Sequence, residues 1–371
     1  MDDVKAFLAE QASALGFCAV GVAGVQPFER HEAMALSRLE RGLMGGLPWY
    51  TEARVRRGCR PLGLLPSARS IISVAMPYPD DLEGPHRGLG GWVSRYAWGP
   101  DYHGLMKDGL QALVTALGKQ LGRKVASRIY VDDGPVLDRA VAERSGVGWF
   151  GKSTNIIVPG HGSWVFLGEA IVDVEMEPDE PLSKSCGGCT RCLEVCPTGA
   201  LIAPHVLDNT RCISYLTIEN RGPIPRHLRL LVGSRLFGCD VCQEACPVNR
   251  AAGQALPSNQ QVSAIGELNA ILEMRPEGFR ERFRGSAIKR ATLVGLQRNA
   301  CVVLGNSGDR DVVPVLTKAL DETGPLVRAH AAWALGRLGG RNARASLERA
   351  LQGEGDAAVW DEVRLALEEC A

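Results

Sequence analysis

Neither sign of charge is in excess in this chain: 42 Lys and Arg face 42 Asp and Glu over 371 residues. A zero balance argues against bulk affinity for nucleic acid. No apolar stretch approaches the roughly 18–20 residues that a bilayer-crossing helix needs. The opening Met1-Asp2-Asp3-Val4-Lys5 has neither the basic flank nor the apolar centre of an export leader. A soluble cytoplasmic protein with no membrane association is expected. What is present is ordinary globular material, 45% hydrophobic and 23% charged, long enough for two or three domains.

Cysteine is the exception. Eight of the twelve fall between Cys186 and Cys246, while Cys18, Cys59, Cys301 and Cys370 are scattered. A disulfide framework belongs to short exported chains, so clustering here points to metal. Cys186-x2-Cys189-x2-Cys192-x3-Cys196-Pro197 matches the bacterial ferredoxin run for a [4Fe–4S] cluster. Zinc is the weaker alternative for four cysteines packed this closely before a proline. A second run, Cys239-x2-Cys242-x3-Cys246-Pro247, lacks its first cysteine, because Leu236 stands there. Cys212 can fill that gap through a long loop. In two-cluster ferredoxins the fourth cysteine of a run serves the other cluster. That rule assigns Cys186, Cys189, Cys192 and Cys246 to one cluster and Cys196, Cys212, Cys239 and Cys242 to the other. The four scattered cysteines read as core residues.

The pattern on either side predicts an α+β multidomain chain. Residues 1–175 form an α/β domain, 176–284 a ferredoxin-like domain and 285–371 a HEAT-like helical repeat domain. Val4 to Leu15 has helical apolar spacing, and Leu105 to Leu121 predicts a second helix. Ser70 to Met76 is a buried-strand run stopped by Pro77 and Pro79, and Ser127 to Val131 is another strand. Ile156-Ile157-Val158 and Trp164 to Leu167 predict a hairpin around Pro159-Gly160-His161-Gly162. The acidic stretch Glu175 to Pro181 reads as a linker. Beyond Gly285 an offset of 31 residues lays Ala300 to Gly305 on Ala331 to Gly336, and Leu316, Ala319 and Leu320 on Leu347, Ala350 and Leu351. This is a repeat of helix pairs with a weaker third copy through Val363 to Leu367. Such repeats offer a binding surface or serve as a helical cap.

Two local features carry further chemistry. From Arg221 to Arg298 twelve Lys and Arg outnumber six Asp and Glu, a net of +6 that could meet phosphates or simply face water. At Asp132-Asp133-Gly134 a strand ends in two carboxylates before glycine turns, suited to a cleft. A buried one could act as a general acid. Either could instead cap the following helix.

Several motifs together give the chain a family resemblance. They are Ser94 to His103, Val131 to Gly148, Gly151-Lys152, Gly162 to Glu169, both cysteine runs and Arg211 to Thr217. Over residues 40 to 250 the chain resembles the epoxyqueuosine reductases, cobalamin-dependent enzymes of queuosine synthesis, and the helical tail fits their longer form. The resemblance implies an N-terminal domain holding cobalamin, a two-cluster domain feeding it electrons and a tRNA anticodon carrying the substrate base. It places the proton-donating aspartate at Asp132, with Arg54 near the corrin. It also implies that Ile156, Val158 and Leu167 line the corrin, and that Lys152, Asn155 and Ser214 are its polar contacts.

Asp-x-His-x-x-Gly, which supplies a cobalt-ligating histidine elsewhere, is absent. Asp101-Tyr102-His103 comes closest, with Met106 in the glycine position. No protein histidine ligand to cobalt is therefore expected, and His103 either faces the substrate or is structural. For tRNA the best phosphate contacts are Arg221, Lys289, Arg290 and Arg298. The expected partners are tRNA and an external low-potential electron donor, with the chain a monomer. A corrinoid reductive dehalogenase and a ferredoxin-type electron carrier are the competing readings.

Overall fold

The computed structural model describes residues 2–78, 90–251 and 265–370. The chain packs as two compact units. The first comprises Met1–Asp80, Asp101–Thr210 and Val241–Leu256, and the second Asp81–Pro100, Arg211–Asp240 and Pro257–Ala371. The cysteine-rich stretch therefore contributes to both units.

The first unit is built on a four-stranded antiparallel sheet. Its strands are β1 (Ala19–Gly24), β2 (Ser70–Pro77), β3 (Ser127–Tyr130) and β6 (Val165–Val172), in the order β1-β2-β6-β3. β2 and β6 are the central strands, and their near-continuous apolar runs are buried on both faces. Ile71, Ser73 and Ala75 pair across with Ile171, Glu169 and Leu167, so these six share one face. Helices Glu29–Glu40 and Glu52–Gly58 cover it together with α3 (Asp138–Arg144), through a core that includes Phe28, Val55, Ala140 and Val141. Helices α1 (Asp2–Ala14) and α2 (Tyr102–Gln120) belong to the opposite face. Gly168 permits the close approach of α2, since a Cβ there would lie 3.0 Å from both Leu110 and Met106.

Both predicted helices and both predicted strands form. Pro77 closes β2, as expected, while Pro79 lies outside the described residues. The predicted hairpin does not form. Ile156–Ile157 (β5) pairs instead with Trp149–Phe150 (β4), and Val158 bridges Gly162 to close the turn. Val165–Val172 goes to the sheet centre because a run buried on both faces needs two long neighbours, which a two-residue strand cannot supply. The 175–181 stretch is irregular, yet it is tied down rather than free. Asp179 accepts from the Val22 amide at 2.8 Å and pairs with Lys5 at 2.5 Å, and the Met176 amide donates to Ser70 Oγ at 3.0 Å.

The second unit has one core running from Val93 through Ile213, Leu236 and Ile288 to Cys370. Its helices are α4 (Thr292–Ser307), α5 (Val313–Glu322), α6 (Pro325–Leu338), α7 (Arg341–Gly353) and α8 (Ala357–Glu369). The 31-residue offset has a packing cause. A Cβ on Gly305 would come within 2.9 Å of Ala334, and one on Gly336 within 2.8 Å of Ala366. Each glycine lets the first helix of the next repeat approach closely. Cys59, Cys301 and Cys370 are core residues, as expected of three of the scattered thiols.

Candidate active site and cluster ligands

β3 ends at Tyr130, which pairs with Glu169, and Val131 is fully buried. The chain then turns out through Asp132, whose φ of 51° is a left-handed conformation that aspartate tolerates better than most residues. Tyr102, the first residue of α2, donates its hydroxyl to Asp132 Oδ2 at 2.9 Å. The Tyr102 ring is braced by stacking on Phe166, with centroids 4.3 Å apart and planes at 5°. Arg54 donates to the Gly134 carbonyl and lies 4.9 Å from the Trp49 ring centroid, so it fixes the far side of the same loop.

Asp133 is differently placed. It pairs with Lys107 and accepts from the Val131 amide at 3.1 Å. Partial burial raises its pKa, but Lys107 and the amide outweigh this and hold it below the usual carboxylate range. Neither aspartate caps the next helix: α3 starts after Leu137 without a side-chain cap. The helix-cap alternative is thereby removed.

Behind this loop lie two carboxyls that spacing did not single out. Glu169 is fully buried, and its oxygens have no hydrogen bond of ordinary geometry among the described residues. Burial raises it well above the usual range, and Asp138 and Asp132 push it further the same way. Burial likewise raises Asp138 to about 6, with the neighbouring Glu169 carboxyl opposing the rise and Asp132 adding to it. One signal was available in the sequence: Glu169 is a lone charge inside the apolar run Val165–Val172.

Ile156 and Val158 pack with Ala75, Val147 and Val165, and half-buried Leu167 joins them. The three expected corrin-lining residues thus belong to one apolar cluster, in which Ile156 and Val158 are buried. Lys152 and Asn155 meet cysteine loops. The Lys152 amide donates to Cys186 Sγ at 3.4 Å and its Nζ to the Gly187 carbonyl at 2.7 Å. The Asn155 side-chain amide reaches Cys242 Sγ at 4.0 Å. His103 Nδ1 lies 2.7 Å from Asp101 Oδ1 at the start of α2.

All eight clustered cysteines are half-buried, and none is in a disulfide. Cys186, Cys189, Cys192, Cys196, Cys242 and Cys246 belong to the first unit and Cys212 and Cys239 to the second. Gly187 takes a φ of 49°, which lets the first loop double back over its thiols. Burial pushes the Cys192 thiol up, and Cys186 adds to it. Thiolates crowded in this way, with N–H groups aimed at two sulfurs, suit an iron–sulfur centre whose iron offsets their charge. Among the described residues no three His, Cys, Asp or Glu side chains converge on a single-ion site. In the second unit Ser214 Oγ donates to the Cys239 carbonyl at 3.4 Å.

The basic candidates divide. Lys289 and Arg290 are exposed, and Arg290 pairs with Glu219 at 2.7 Å. Arg221 is exposed, but its guanidinium donates to the Ile218, Ala291 and Arg290 carbonyls. Arg298 is not a surface phosphate contact. It is fully buried and donates to the carbonyls of Leu216, Asn220 and Gly222. Helical position alone could not distinguish an outward arginine from one turned into the core.

Comparison with known proteins decides the family. A curated epoxyqueuosine reductase of Xanthomonas campestris pv. campestris is 40% identical over 349 residues, 91% of this chain and 97% of that protein. The chain belongs to the epoxyqueuosine reductase family. The family member of Bacillus subtilis is 33% identical over 374 residues, 99% of this chain and 95% of its own. The family model for epoxyqueuosine reductase QueG, DUF1730, matches residues 59–133. A 4Fe–4S double cluster binding domain matches 185–249, and HEAT repeats match 286–368.

Among solved structures, an epoxyqueuosine reductase with a tRNA-Tyr epoxyqueuosine-modified stem loop aligns with a TM-score of 0.89 at 32% identity, covering 99% of each chain. The Bacillus subtilis enzyme, with its catalytic aspartate loop swung out of the active site, aligns with a TM-score of 0.88 at 32% identity, covering 100% of this chain and 99% of its own. The chain is an oxidoreductase with a double-cluster domain and helical repeats. No helix among the described residues is long and apolar enough to cross a membrane.

Proposed function

We propose that the chain reduces epoxyqueuosine to queuosine at the wobble position of tRNA. Cobalamin is the cofactor, two [4Fe–4S] clusters supply its electrons from an external low-potential donor, and Asp132 donates the proton. The observation that carries this reading is the setting of Asp132, turned out of a strand end, bonded by Tyr102 and flanked by the Arg54–Gly134 contact. A relative crystallised with the modified stem loop supports the substrate, and a relative with a catalytic aspartate loop supports the role of the loop.

Converting an epoxide to an alkene removes its oxygen as water and takes two electrons and two protons. Cobalamin, when bound, supplies the reduction of the epoxide. Ile156, Val158 and Leu167 would line its ring, with Arg54, Lys152, Asn155 and Ser214 as polar contacts. The apolar chemistry of the first three suits such a ring. Ring opening leaves an alkoxide, whose charge is costly wherever bound substrate excludes water. Asp132 discharges it by donating its carboxyl proton, and the Tyr102 hydroxyl then stabilises the carboxylate left behind. Exposure of Asp132 allows the second proton to be drawn from solvent.

The cluster ligands on this reading are Cys186, Cys189, Cys192 and Cys246 for one cluster, and Cys196, Cys212, Cys239 and Cys242 for the other. Residues 1–175 hold cobalamin, 176–284 the clusters, and 285–371 form the repeats. Lys289 and Arg290 contact tRNA phosphates, the working form is a monomer, and the site of action is the cytoplasm. Anaerobic incubation of cluster-replete, cobalamin-loaded enzyme with epoxyqueuosine-tRNA and a strong reductant tests the reading by nucleoside mass spectrometry. Queuosine forming in step with enzyme supports it. Unchanged epoxyqueuosine with fully loaded enzyme overturns it.

A further inference from the structure

Arg298 and Asn299 sit side by side in α4, the first helix of the repeats, and both are fully buried. The guanidinium forms five hydrogen bonds. Nη2 donates to the Leu216 carbonyl at 2.6 Å, and Nη1 to those of Asn220 and Gly222 at 2.8 and 2.7 Å. Nε and Nη2 both donate to Asn299 Oδ1, at 3.1 and 2.8 Å. Asn299 in turn donates from Nδ2 to the Thr217 and Leu236 carbonyls, each at 2.8 Å.

These acceptors lie on the two backbone segments that carry Cys212 and Cys239. Tyr215–Glu219 is a π-helical turn, a rare form that leaves carbonyls outside the usual ladder and recurs at functional sites. The Leu216 amide donates to the Cys212 carbonyl at 2.9 Å, so the oxygen held by Arg298 is one peptide unit from a hydrogen bond to Cys212. Thr217 links the two segments: its Oγ1 donates to the Ile213 carbonyl at 2.7 Å and accepts from the Gly238 amide at 2.9 Å. Gly238 is the neighbour of Cys239, and Ser214 Oγ donates to the Cys239 carbonyl.

The five hydrogen bonds use every N–H of the guanidinium, so its donors are fully satisfied. What they leave without an opposite partner is the desolvated positive charge itself. All four of its acceptors are neutral oxygens, and among the described residues no carboxylate lies within ion-pair range. A [4Fe–4S] cluster held by four thiolates is anionic and gains one negative charge on accepting an electron. Cluster potentials respond to nearby charge and hydrogen bonding.

We infer that Arg298 and Asn299 are positioning residues for the second cluster: they clamp the backbone of Cys212 and Cys239 and set a buried positive charge beside it. The inference rests on the ligand assignment proposed above. Asn299 holds the geometry, while Arg298 both holds it and favours the reduced cluster. The step it biases is the entry of one electron into the oxidised cluster, with no bond made or broken in the chain.

The test uses the full chain, reconstituted anaerobically without cobalamin or tRNA. Iron and sulfide content, circular dichroism and an EPR-monitored redox titration are compared for wild type, Arg298→Lys, Arg298→Met, Asn299→Ala and Cys212→Ser. Expected are partial loss of one cluster in Asn299→Ala and Arg298→Lys, with wild-type circular dichroism and the other cluster untouched. In Arg298→Met the reduction equilibrium of one cluster shifts about tenfold toward the oxidised form, about 59 mV for a one-electron couple. Lysine keeps the charge but loses the planar fork, so Arg298→Lys leaves the potential near wild type. Two full clusters with unshifted potentials in every Arg298 and Asn299 variant overturn the inference. Collapse of the repeat fold in all three overturns it as well, by assigning the pair to core stability. Two intact clusters in Cys212→Ser overturn the ligand assignment underneath, which is a separate result.

Discussion

Tyr102 and Asp132 are joined by a 2.9 Å hydrogen bond from the phenol to the carboxylate, and the phenol is held by its ring stack on Phe166. The second carboxylate of the pair, Asp133, is committed to Lys107 and to the Val131 amide. Two adjacent aspartates thus have separate tasks. A hydrogen bond to a charged group contributes about 1.5–3 kcal/mol. Tyr102→Phe is therefore expected to slow single-turnover reduction by roughly tenfold to a hundredfold. Asp133→Asn should stay within a few-fold of wild type. A larger loss in Asp133→Asn than in Tyr102→Phe would reverse the two roles.

The buried carboxyls give stability a pH dependence of defined sign. Both Asp138 and Glu169 bind a proton more tightly in the folded chain than in the unfolded one. The folded state then holds more protons, so stability falls as pH rises. For Asp138 the loss runs from its ordinary 3.8 up to about 6, and for Glu169 it continues above that. Buried His330, held well below its ordinary range, works in the opposite sense up to its usual 6.5, so the carboxyl effect is read between wild type and a Glu169 variant across pH 5 to pH 8. Glu169→Gln, which cannot ionise, should flatten the profile and be the more stable protein at pH 8. An identical slope in the two proteins would contradict the account.

Cluster exchange between the two cysteine runs has a double-mutant signature. If Cys192 and Cys246 serve one cluster, Cys192→Ser with Cys246→Ser should lose about half the iron, no more than either change alone. Cys192→Ser with Cys196→Ser should lose nearly all of it, because those neighbours serve different clusters. Mössbauer spectra and iron content read the difference. The reverse pattern would assign each run to its own cluster.

Contacts with RNA phosphates should register as salt dependence. Arg290 is exposed and is held at two points by the Glu219 carboxylate, which an RNA phosphate would have to replace. Arg290→Ala should weaken anticodon stem-loop binding at every salt concentration and reduce the slope of log K against log salt by about one. Arg221→Ala should change that slope less, because its guanidinium is engaged with three carbonyls. Equal slopes in wild type and Arg290→Ala would remove Arg290 from the interface.

What could be read from the sequence was whatever local spacing encodes. The Cys186 run, the apolar runs of β2 and β6, and the 31-residue offset all report short-range geometry. Long-range partnership was hidden. Nothing in Ile156-Ile157 indicates that Trp149–Phe150 is its partner rather than Val165–Val172. The offset marks Arg298-Asn299 as the head of a repeat but not as a buried clamp on carbonyls some 80 residues away. The resemblance supplied Asp132, whereas the side chain that holds it, Tyr102, lies 30 residues earlier and is recognisable only in space.

The most direct measurement is anaerobic single-turnover reduction of epoxyqueuosine-tRNA by wild type and Asp132→Asn, both cluster-replete and cobalamin-loaded. The account predicts queuosine from wild type and a rate at least about a hundredfold lower from Asp132→Asn, the range expected for loss of a general acid. Equal rates in the two proteins would contradict the assignment of the proton to Asp132. No queuosine from wild type would contradict the function itself.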